Sequence, residues 1–222
     1  NVLTALRTGA AGALATRLLA RPEASELLLV GAGVQSLYQL TCHLALKKWT
    51  TVQVWAPDFV QAQKFVTQHR SAILRKAPGL RFVATSSLEA AARSAQVICT
   101  CTPSRKPLIR AGWVMPGTHI NAIGADAPGK QELEIALLQK ARVVVDDWEQ
   151  ASHSGEINVA HSRKRLFRKD IAADLGTVLV RKRRIRARAT DITVFDSTGL
   201  AIQDMIMADY VVKTHSKSLT AR

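Results

Sequence analysis

The chain has 222 residues, of which 47% are hydrophobic, and its mean hydropathy is +0.03. This composition allows a sizeable core, so the chain need not be disordered, and we expect one large domain or one domain with appendages. No apolar run reaches the roughly 18 residues that a membrane helix needs, so we predict no membrane span. The formal net charge of +14 is concentrated, since residues 161–190 hold eleven Lys or Arg and two Asp. Because Phe167 is the one aromatic residue there, we expect a solvated surface or a contact for an acidic partner rather than a nucleic-acid site.

Hydrophobic patterning predicts strands that alternate with helices along the chain. A first helix is predicted at 3–18 and ends before Arg21-Pro22. Strands are predicted at 27–30, 52–55, 81–84, 97–101, 119–123, 142–145 and 191–195, and further helices at 37–48, 59–75, 87–94, 130–140 and 200–214. This alternation is typical of an α/β fold, and we predict a doubly wound, Rossmann-type parallel sheet.

A glycine turn follows the first predicted strand. Gly31 can adopt the backbone angles of a tight turn, and Gly33 has no side chain to block a pyrophosphate. The next helix would point its free N–H groups at that anion. Ser36 stands where a third glycine is usual, and a small residue there still permits close packing of helix and strand. The turn therefore predicts a dinucleotide site.

The cysteine and histidine residues show no metal-ligand spacing. Cys42, Cys99 and Cys101 form no C-x-x-C motif, and the six histidines are scattered. We therefore expect reduced thiols in a cytoplasmic protein and no metal site.

A carboxylate follows the fifth predicted strand in the segment Gly124-Ala125-Asp126-Ala127-Pro128-Gly129-Lys130. In a doubly wound sheet the carboxyl ends of the strands carry the ligand-binding groups. Asp126 could therefore be a partly desolvated group that transfers protons. Alternatively, Asp126 caps the helix predicted at 130–140, and the residues alone leave both interpretations open.

Several motifs, taken in chain order, resemble the ornithine cyclodeaminase/mu-crystallin family. They cover nearly the whole chain: Leu3-Thr4-Ala5-Leu6-Arg7-Thr8, Gly31-Ala32-Gly33-Val34-Gln35-Ser36, Cys101-Thr102-Pro103-Ser104, Asn121-Ala122-Ile123-Gly124-Ala125-Asp126-Ala127-Pro128-Gly129-Lys130, Val143-Val144-Val145-Asp146 and Val194-Phe195-Asp196-Ser197-Thr198-Gly199. The block around Asp126 is the most specific of them.

The resemblance implies an NAD(P)-dependent enzyme that acts at the α-carbon of a small amino acid or cyclic imino acid. It implies that Arg7 binds the substrate carboxylate and that Asp126 is the catalytic acid or base. Asp58, near the end of the second strand, weakly favours NAD over NADP, because an acid there can bind the ribose hydroxyls. The residues expected to bind or flank the cofactor are Gly31, Gly33, Val34, Gln35, Asp58, Thr102, Ile123, Gly124, Ala125, Lys130 and Ser197.

The same resemblance implies a domain organisation and a set of alternative functions. Residues 1–22 are expected to link to a further N-terminal substrate and dimerisation domain, residues 23–199 to form the dinucleotide-binding domain, and residues 200–222 to return toward the N-terminal domain. The full-length protein is expected to be a homodimer. Conversion of L-ornithine to L-proline and ammonia is the leading interpretation, and a cyclic-imine reductase or a non-catalytic NAD(P)-binding fragment are the alternatives.

Overall fold

The computed structural model describes the backbone of residues 2–220 and the side chains of residues 2–214. Eight parallel strands form one sheet: β1 Glu26–Val30, β2 Thr51–Trp55, β3 Arg81–Ala84, β4 Val97–Thr100, β5 His119–Ala122, β6 Arg142–Val145, β7 Ile171–Asp174 and β8 Thr193–Asp196. The helices are α1 Val2–Leu19, α2 Val34–Leu46, α3 Phe59–Lys76, α4 Leu88–Ser94, α5 Ile135–Lys140, α6 Trp148–Ser154, α7 Asn158–Ser162, α8 Leu175–Val180 and α9 Ala201–Thr220. Within the described residues, no helix is long and apolar enough to cross a membrane.

The strand order places a switch in chain direction next to the glycine turn. The order is β3-β2-β1-β4-β5-β8-β6-β7, so the chain builds outward from β1 to β3 and then returns to place β4 on the other side of β1. Ligands of doubly wound sheets bind at the carboxyl ends of the strands beside such a switch point. The turn that follows β1 therefore lies where this fold binds nucleotides.

The predicted α/β fold is confirmed, but the prediction missed several elements and misplaced the start of one helix. The sequence pattern missed β7, whose residues are only half buried, and it missed the short helices α6, α7 and α8. The helix predicted at 130–140 begins only at Ile135. Residues before it are extended because Leu133 forms a parallel bridge with Ile109 and the carboxylate of Glu156 binds the N–H groups of Glu132 and Leu133.

Helix α1 packs closely against the first helix of the nucleotide-binding unit. A Cβ added at Gly9 would lie 2.6 Å from the carbonyl oxygen of Tyr38, so only glycine lets α1 approach α2 at this point. Farther along, Thr16 of α1 hydrogen-bonds His43 of α2 at 2.8 Å, and Asn121 of β5 donates to Thr16 at 2.9 Å. These contacts are buried, and they fix α1 over the centre of the sheet.

The basic stretch is not uniformly solvated. Arg181, Lys182, Arg183 and Arg184 are exposed, as predicted, but Arg186 is partly buried. Its guanidinium donates to the carbonyl oxygen of Leu19 and to the hydroxyl of Thr193, both at 3.0 Å. Arg186 therefore connects the end of α1 to β8, and the expectation of a solvated surface was wrong for this residue.

Two lysines adopt the left-handed backbone conformation immediately after short helices. Lys164 follows α7 with φ 55°, and Lys182 follows α8 with φ 50°. After α7, the N–H of Arg165 donates to the carbonyl of Ala160 at 2.8 Å, and after α8 the N–H of Arg183 donates to Val178 at 3.2 Å. These are the hydrogen bonds of a Schellman helix end, in which glycine is the usual left-handed residue because a Cβ is unfavourable there.

We predict that Lys164→Gly raises the free energy of unfolding by up to about 1 kcal/mol, because it removes a Cβ that is unfavourable in the left-handed conformation. Part of this gain is lost because glycine increases the conformational entropy of the unfolded chain. Urea unfolding would measure the change. Lys164→Ala is the matched control, because it removes the same charge and retains the Cβ. An equal gain in both variants would show that charge, rather than backbone strain, is responsible.

Candidate functional site

A cavity of about 390 Å³ opens at the carboxyl ends of β1, β4, β5 and β8, at the switch point. Helix α1 and the turn before α9 form its other sides. The residues that line it are Thr4, Arg7, Thr8, Gln35, Cys101, Thr102, Pro103, Ile123, Gly124, Asp126, Lys130, Ser197, Thr198 and Gly199. Segments far apart in the sequence therefore meet in one site.

The glycine turn has the geometry that the sequence predicted. Gly31 has φ 120°, and a Cβ there would lie 2.8 Å from the carbonyl oxygen of Cys101, so no other residue fits without strain. A Cβ added at Gly33, in contrast, would meet nothing within 4 Å. Ser36 is buried and donates a hydrogen bond of 2.9 Å to the carbonyl of Gly31, which holds the turn against α2. The open space over Gly33 fits the approach of a phosphate to the backbone.

Arg7 extends from α1 into the cavity and is held by the start of α9. Its Nη1 donates to Oε1 of Gln203 at 3.3 Å, and its Nε lies 3.2 Å from Oδ2 of Asp204. The Nε contact is close enough for an ion pair but lacks hydrogen-bond geometry. The side chain is only 13% exposed. A cation so placed can attract a carboxylate in the cavity, and Asp204 is a competing anion.

Asp126 and Lys130 form an ion pair at the edge of the cavity. The side chain of Asp126 is 68% exposed in the part of the chain that the structure describes. The expectation that this carboxylate is partly desolvated was therefore wrong. The helix-cap interpretation was also wrong, because α5 begins at Ile135 and its N-cap is Glu134. Asp126 is therefore accessible to a ligand, and Lys130 holds it in position.

Other residues expected to bind the cofactor fall into two groups around the cavity. Thr102, Ile123, Gly124 and Ser197 line it, whereas Ala125 is buried between Gly124 and Asp126 and does not. Among the described residues, the buried Oγ of Ser197 has no hydrogen-bond partner. Because a buried hydroxyl without a partner is costly, this oxygen is suited to bind a ligand in the cavity.

The remaining predicted positions lie at or beyond the rim. Gln35 lines the cavity, and its Nε2 donates to the carbonyl of Ala5 at 3.3 Å. Val34 is 70% exposed beside Gly33. Asp58 does not line the cavity, and its Oδ1 accepts a hydrogen bond from the N–H of Val60 at 2.9 Å as the N-cap of α3. One oxygen of Asp58 is thus committed to a structural contact.

Glu132, which sequence reasoning did not identify as a site residue, lies directly behind the cavity. Its Oε1 accepts hydrogen bonds from the N–H and the hydroxyl of Thr102, at 2.7 and 2.6 Å, and its Oε2 accepts one from the N–H of Gly124 at 2.9 Å. The carboxylate thus joins the loop after β4 to the loop after β5. Full burial raises the pKa of Glu132, and the hydrogen bonds from Thr102 and Gly124 act in the opposite direction.

Two more buried carboxylates extend this arrangement toward the far half of the sheet. Glu156 binds the N–H groups of Glu132 and Leu133, and Asp196 binds those of Glu156 and Ile157 at 2.8 and 3.0 Å. Burial raises the pKa of Asp196 to about 7. Burial first, and then the charge of Glu132, raises the pKa of Glu156 well above its ordinary range. Each acid fixes the backbone that carries the next one.

A fourth carboxylate fixes the turn that faces Arg7. Asp146, after β6, accepts hydrogen bonds of 2.6 Å from the hydroxyl of Thr198 and from the N–H of Gly199. Both of these residues line the cavity. Asp146 and Asp196 belong to motifs that resemble the family, which was a signal for their importance, whereas Glu132 lay inside a segment predicted as helix and had no such signal.

The fold and the glycine turn define a dinucleotide-binding protein of the doubly wound class. The chain belongs to the ornithine cyclodeaminase/mu-crystallin family, whose model matches residues 1–218. This result confirms the resemblance seen in the sequence motifs.

Three solved structures show what the chain is similar to. An archaeal alanine dehydrogenase dimer with bound NAD has a TM-score of 0.90 and 42% identity, covering 97% of this chain and 65% of that one. The iminosuccinate reductase of Paracoccus denitrificans in complex with NAD+ has a TM-score of 0.89 and 32% identity, covering 98% and 65%. A lysine cyclodeaminase has a TM-score of 0.81 and 32% identity, covering 98% and 60%. The chain therefore spans less than two thirds of the length of each of these proteins.

We predict that Glu132→Gln lowers the free energy of unfolding by about 1–3 kcal/mol, because its amide NH2 group would face a buried N–H donor of Thr102 or Gly124. Urea unfolding would measure the loss. Glu149→Gln is the control, since that side chain is 80% exposed and the substitution should change stability by less than about 0.5 kcal/mol. Equal stability of the two variants would contradict the role assigned to Glu132.

Proposed function

We propose that this chain binds NAD(H) and belongs to an oxidoreductase that acts at the α-carbon of a small amino acid or of the corresponding imine. The observation that carries the proposal is the open space over Gly33, which lies at the switch point beside a cavity lined by Arg7 and Asp126. The alanine dehydrogenase and the iminosuccinate reductase, both with bound NAD, support it. When bound, the nicotinamide would accept or supply a hydride.

The residues of this chain fit such a cofactor. The N–H groups at the start of α2 and the bare Gly33 would bind the pyrophosphate. The partnerless Oγ of Ser197 and the loops fixed by Glu132 would border the remainder of the dinucleotide. We propose NAD rather than NADP, because Asp58 is exposed and keeps one oxygen free of α3, and its negative charge would repel a 2′-phosphate.

We propose that Arg7 binds the substrate carboxylate and that Asp126 exchanges a proton with the substrate nitrogen or with water. Arg7 can form charge-assisted hydrogen bonds, and Asp204 and Gln203 restrict its orientation. Asp126 is accessible, and its ion pair with Lys130 restricts the orientation of its carboxylate. The two residues reach the cavity from different elements, so the substrate would lie between them.

Conversion of L-ornithine to L-proline is the second candidate. The similarity to lysine cyclodeaminase supports it. The two reactions differ in their balance, because cyclodeamination returns the hydride to the substrate and leaves no net NADH. A dehydrogenase or an imine reductase instead changes the NADH concentration by one equivalent per turnover.

One set of assays tests these proposals. The protein would be incubated with NAD+ and L-alanine, with NAD+ and L-ornithine, and with NADH and a cyclic imine, while NADH absorbance and ammonia are followed. Ammonia released from ornithine without net NADH would select the cyclodeaminase. A change in NADH would select the oxidoreductase. NADH binding without any turnover would indicate that this chain supplies nucleotide binding alone. The same result is expected if turnover requires the homodimer or the further domain that we propose for the full-length protein.

We predict that Gly33→Val abolishes NADH binding in a fluorescence titration, because the new side chain would occupy the space that a pyrophosphate needs. The fold should survive, since that space contains no other atoms within 4 Å. Gly112→Val is the matched control, because a Cβ there also meets nothing within 4 Å and lies away from the turn. NADH affinity in Gly33→Val equal to that of the control would overturn the assignment.

We predict that Asp126→Asn lowers turnover by about two to four orders of magnitude, the usual contribution of a general acid or base. NADH affinity should remain, because the role proposed for Asp126 is proton exchange and the pyrophosphate would bind at the glycine turn. Initial rates in the assay that shows activity would measure the effect. Near-normal turnover in this variant would mean that another group carries the proton.

A further inference from the structure

A second cavity, of about 680 Å³, lies at the amino ends of β6 and β7. We call it the basic groove; Arg142 and Ile171, the first residues of these strands, line it. The candidate active site lies at the carboxyl ends of the strands, and a four-residue strand spans roughly 13 Å. The basic groove is therefore a separate site on the opposite edge of the sheet.

The lining of the basic groove has an excess of positive charge. Its charged residues are Lys140, Arg142, Arg165, Lys169 and Arg183, with Asp170 and Asp191. Both acids are used locally: Asp170 accepts a hydrogen bond from the N–H of Phe167 at 2.8 Å, and Asp191 accepts those of Ala187 and Arg188 at 2.9 and 3.0 Å. Two carboxylates, each with one oxygen already bound to backbone N–H groups, therefore face five cations.

Four of the cations have no ion-pair partner among the side chains that the structure describes. No described carboxylate lies within 4.0 Å of the charged nitrogens of these four residues, which are Lys140, Arg165, Lys169 and Arg183. Arg142 is 3.9 Å from Asp191, at the limit of an ion pair. Like charges around a concave surface raise the local potential and attract anions.

Arg165 and Arg183 of the basic groove follow helix ends of the same backbone conformation. Arg165 and Arg183 each follow a lysine in the left-handed conformation, and each closes the helix end with its own N–H. Left-handed residues with a Cβ are costly, and such strain concentrates at functional sites. The same helix-end conformation therefore brings two guanidinium groups, one after α7 and one after α8, to the same groove.

We propose that the basic groove binds a small polyanion that carries two or more phosphate groups. Guanidinium groups bind phosphate oxygens through paired hydrogen bonds, and two of them converge here with three further cations. The volume is that of a small-molecule site. Among the described residues, no aromatic side chain lines the groove for base stacking, which favours a small phosphate compound over a nucleic acid.

Titration calorimetry with inorganic tripolyphosphate on the 222-residue protein, at about 0.15 M salt, tests the proposal. We expect saturable binding at one site. The double variant Arg165→Gln/Arg183→Gln should weaken it roughly 100-fold, about tenfold for each arginine. Arg165→Lys should give an intermediate loss, because lysine keeps the charge and lacks the fork. The double variant Arg75→Gln/Lys76→Gln, which removes two charges from the exposed end of α3, should bind as the unchanged protein does.

Three results would overturn the proposal. The first is the absence of tripolyphosphate binding, and the second is an equal loss in both double variants, which would show a general effect of net charge. The third is a short DNA duplex that binds more tightly than tripolyphosphate and loses affinity in the groove variant, which would make the groove a nucleic-acid surface. NADH titration and thermal unfolding of the groove variant should match the unchanged protein, because its substitutions are exposed and lie at the other edge of the sheet.

Discussion

A single buried carboxylate, that of Glu132, joins the two loops on which the candidate site depends. It accepts three hydrogen bonds from Thr102 and Gly124, which follow the neighbouring strands β4 and β5. Removing a carboxylate from water is costly, and that cost is offset when each oxygen receives good donors. Because Glu156 and Asp196 then bind the backbone around Glu132 and Glu156, the rigidity extends across the sheet to β8.

The buried acids and the exposed acid of the candidate site have different roles. The acids that are buried hold backbone N–H groups and do not reach the cavity, whereas Asp126, which does reach it, is exposed and paired with Lys130. A proton-exchanging group must contact its substrate, and a positioning group works best when water is excluded from it. Arg7 combines the two conditions, since it is largely buried and yet lines the cavity, held by the start of α9. The turn beside it is fixed by Asp146.

The two edges of the sheet carry different electrostatic character. At the carboxyl ends, cations and carboxylates alternate: Arg7 is close to Asp204, and Lys130 to Asp126. At the amino ends of β6 and β7, cations collect while the acids are used by the backbone. A parallel sheet makes such a separation possible because every strand starts at one edge and ends at the other. The sequence motifs that resemble the family lie around the first edge, and the basic groove lies at the second.

The sequence by itself determined the fold class, the position of β1 and its glycine turn, and the family, because hydrophobic period and turn glycines are local properties. It also indicated Arg7, Asp126 and Ser197, through motifs that resemble the family. Only the tertiary structure decided that Glu132 is extended and buried, that Asp126 is exposed rather than a helix cap, and that Arg186 connects α1 to β8. Each of these depends on partners distant in the chain, such as Thr102 for Glu132 and Leu19 for Arg186, and no local pattern encodes a distant partner.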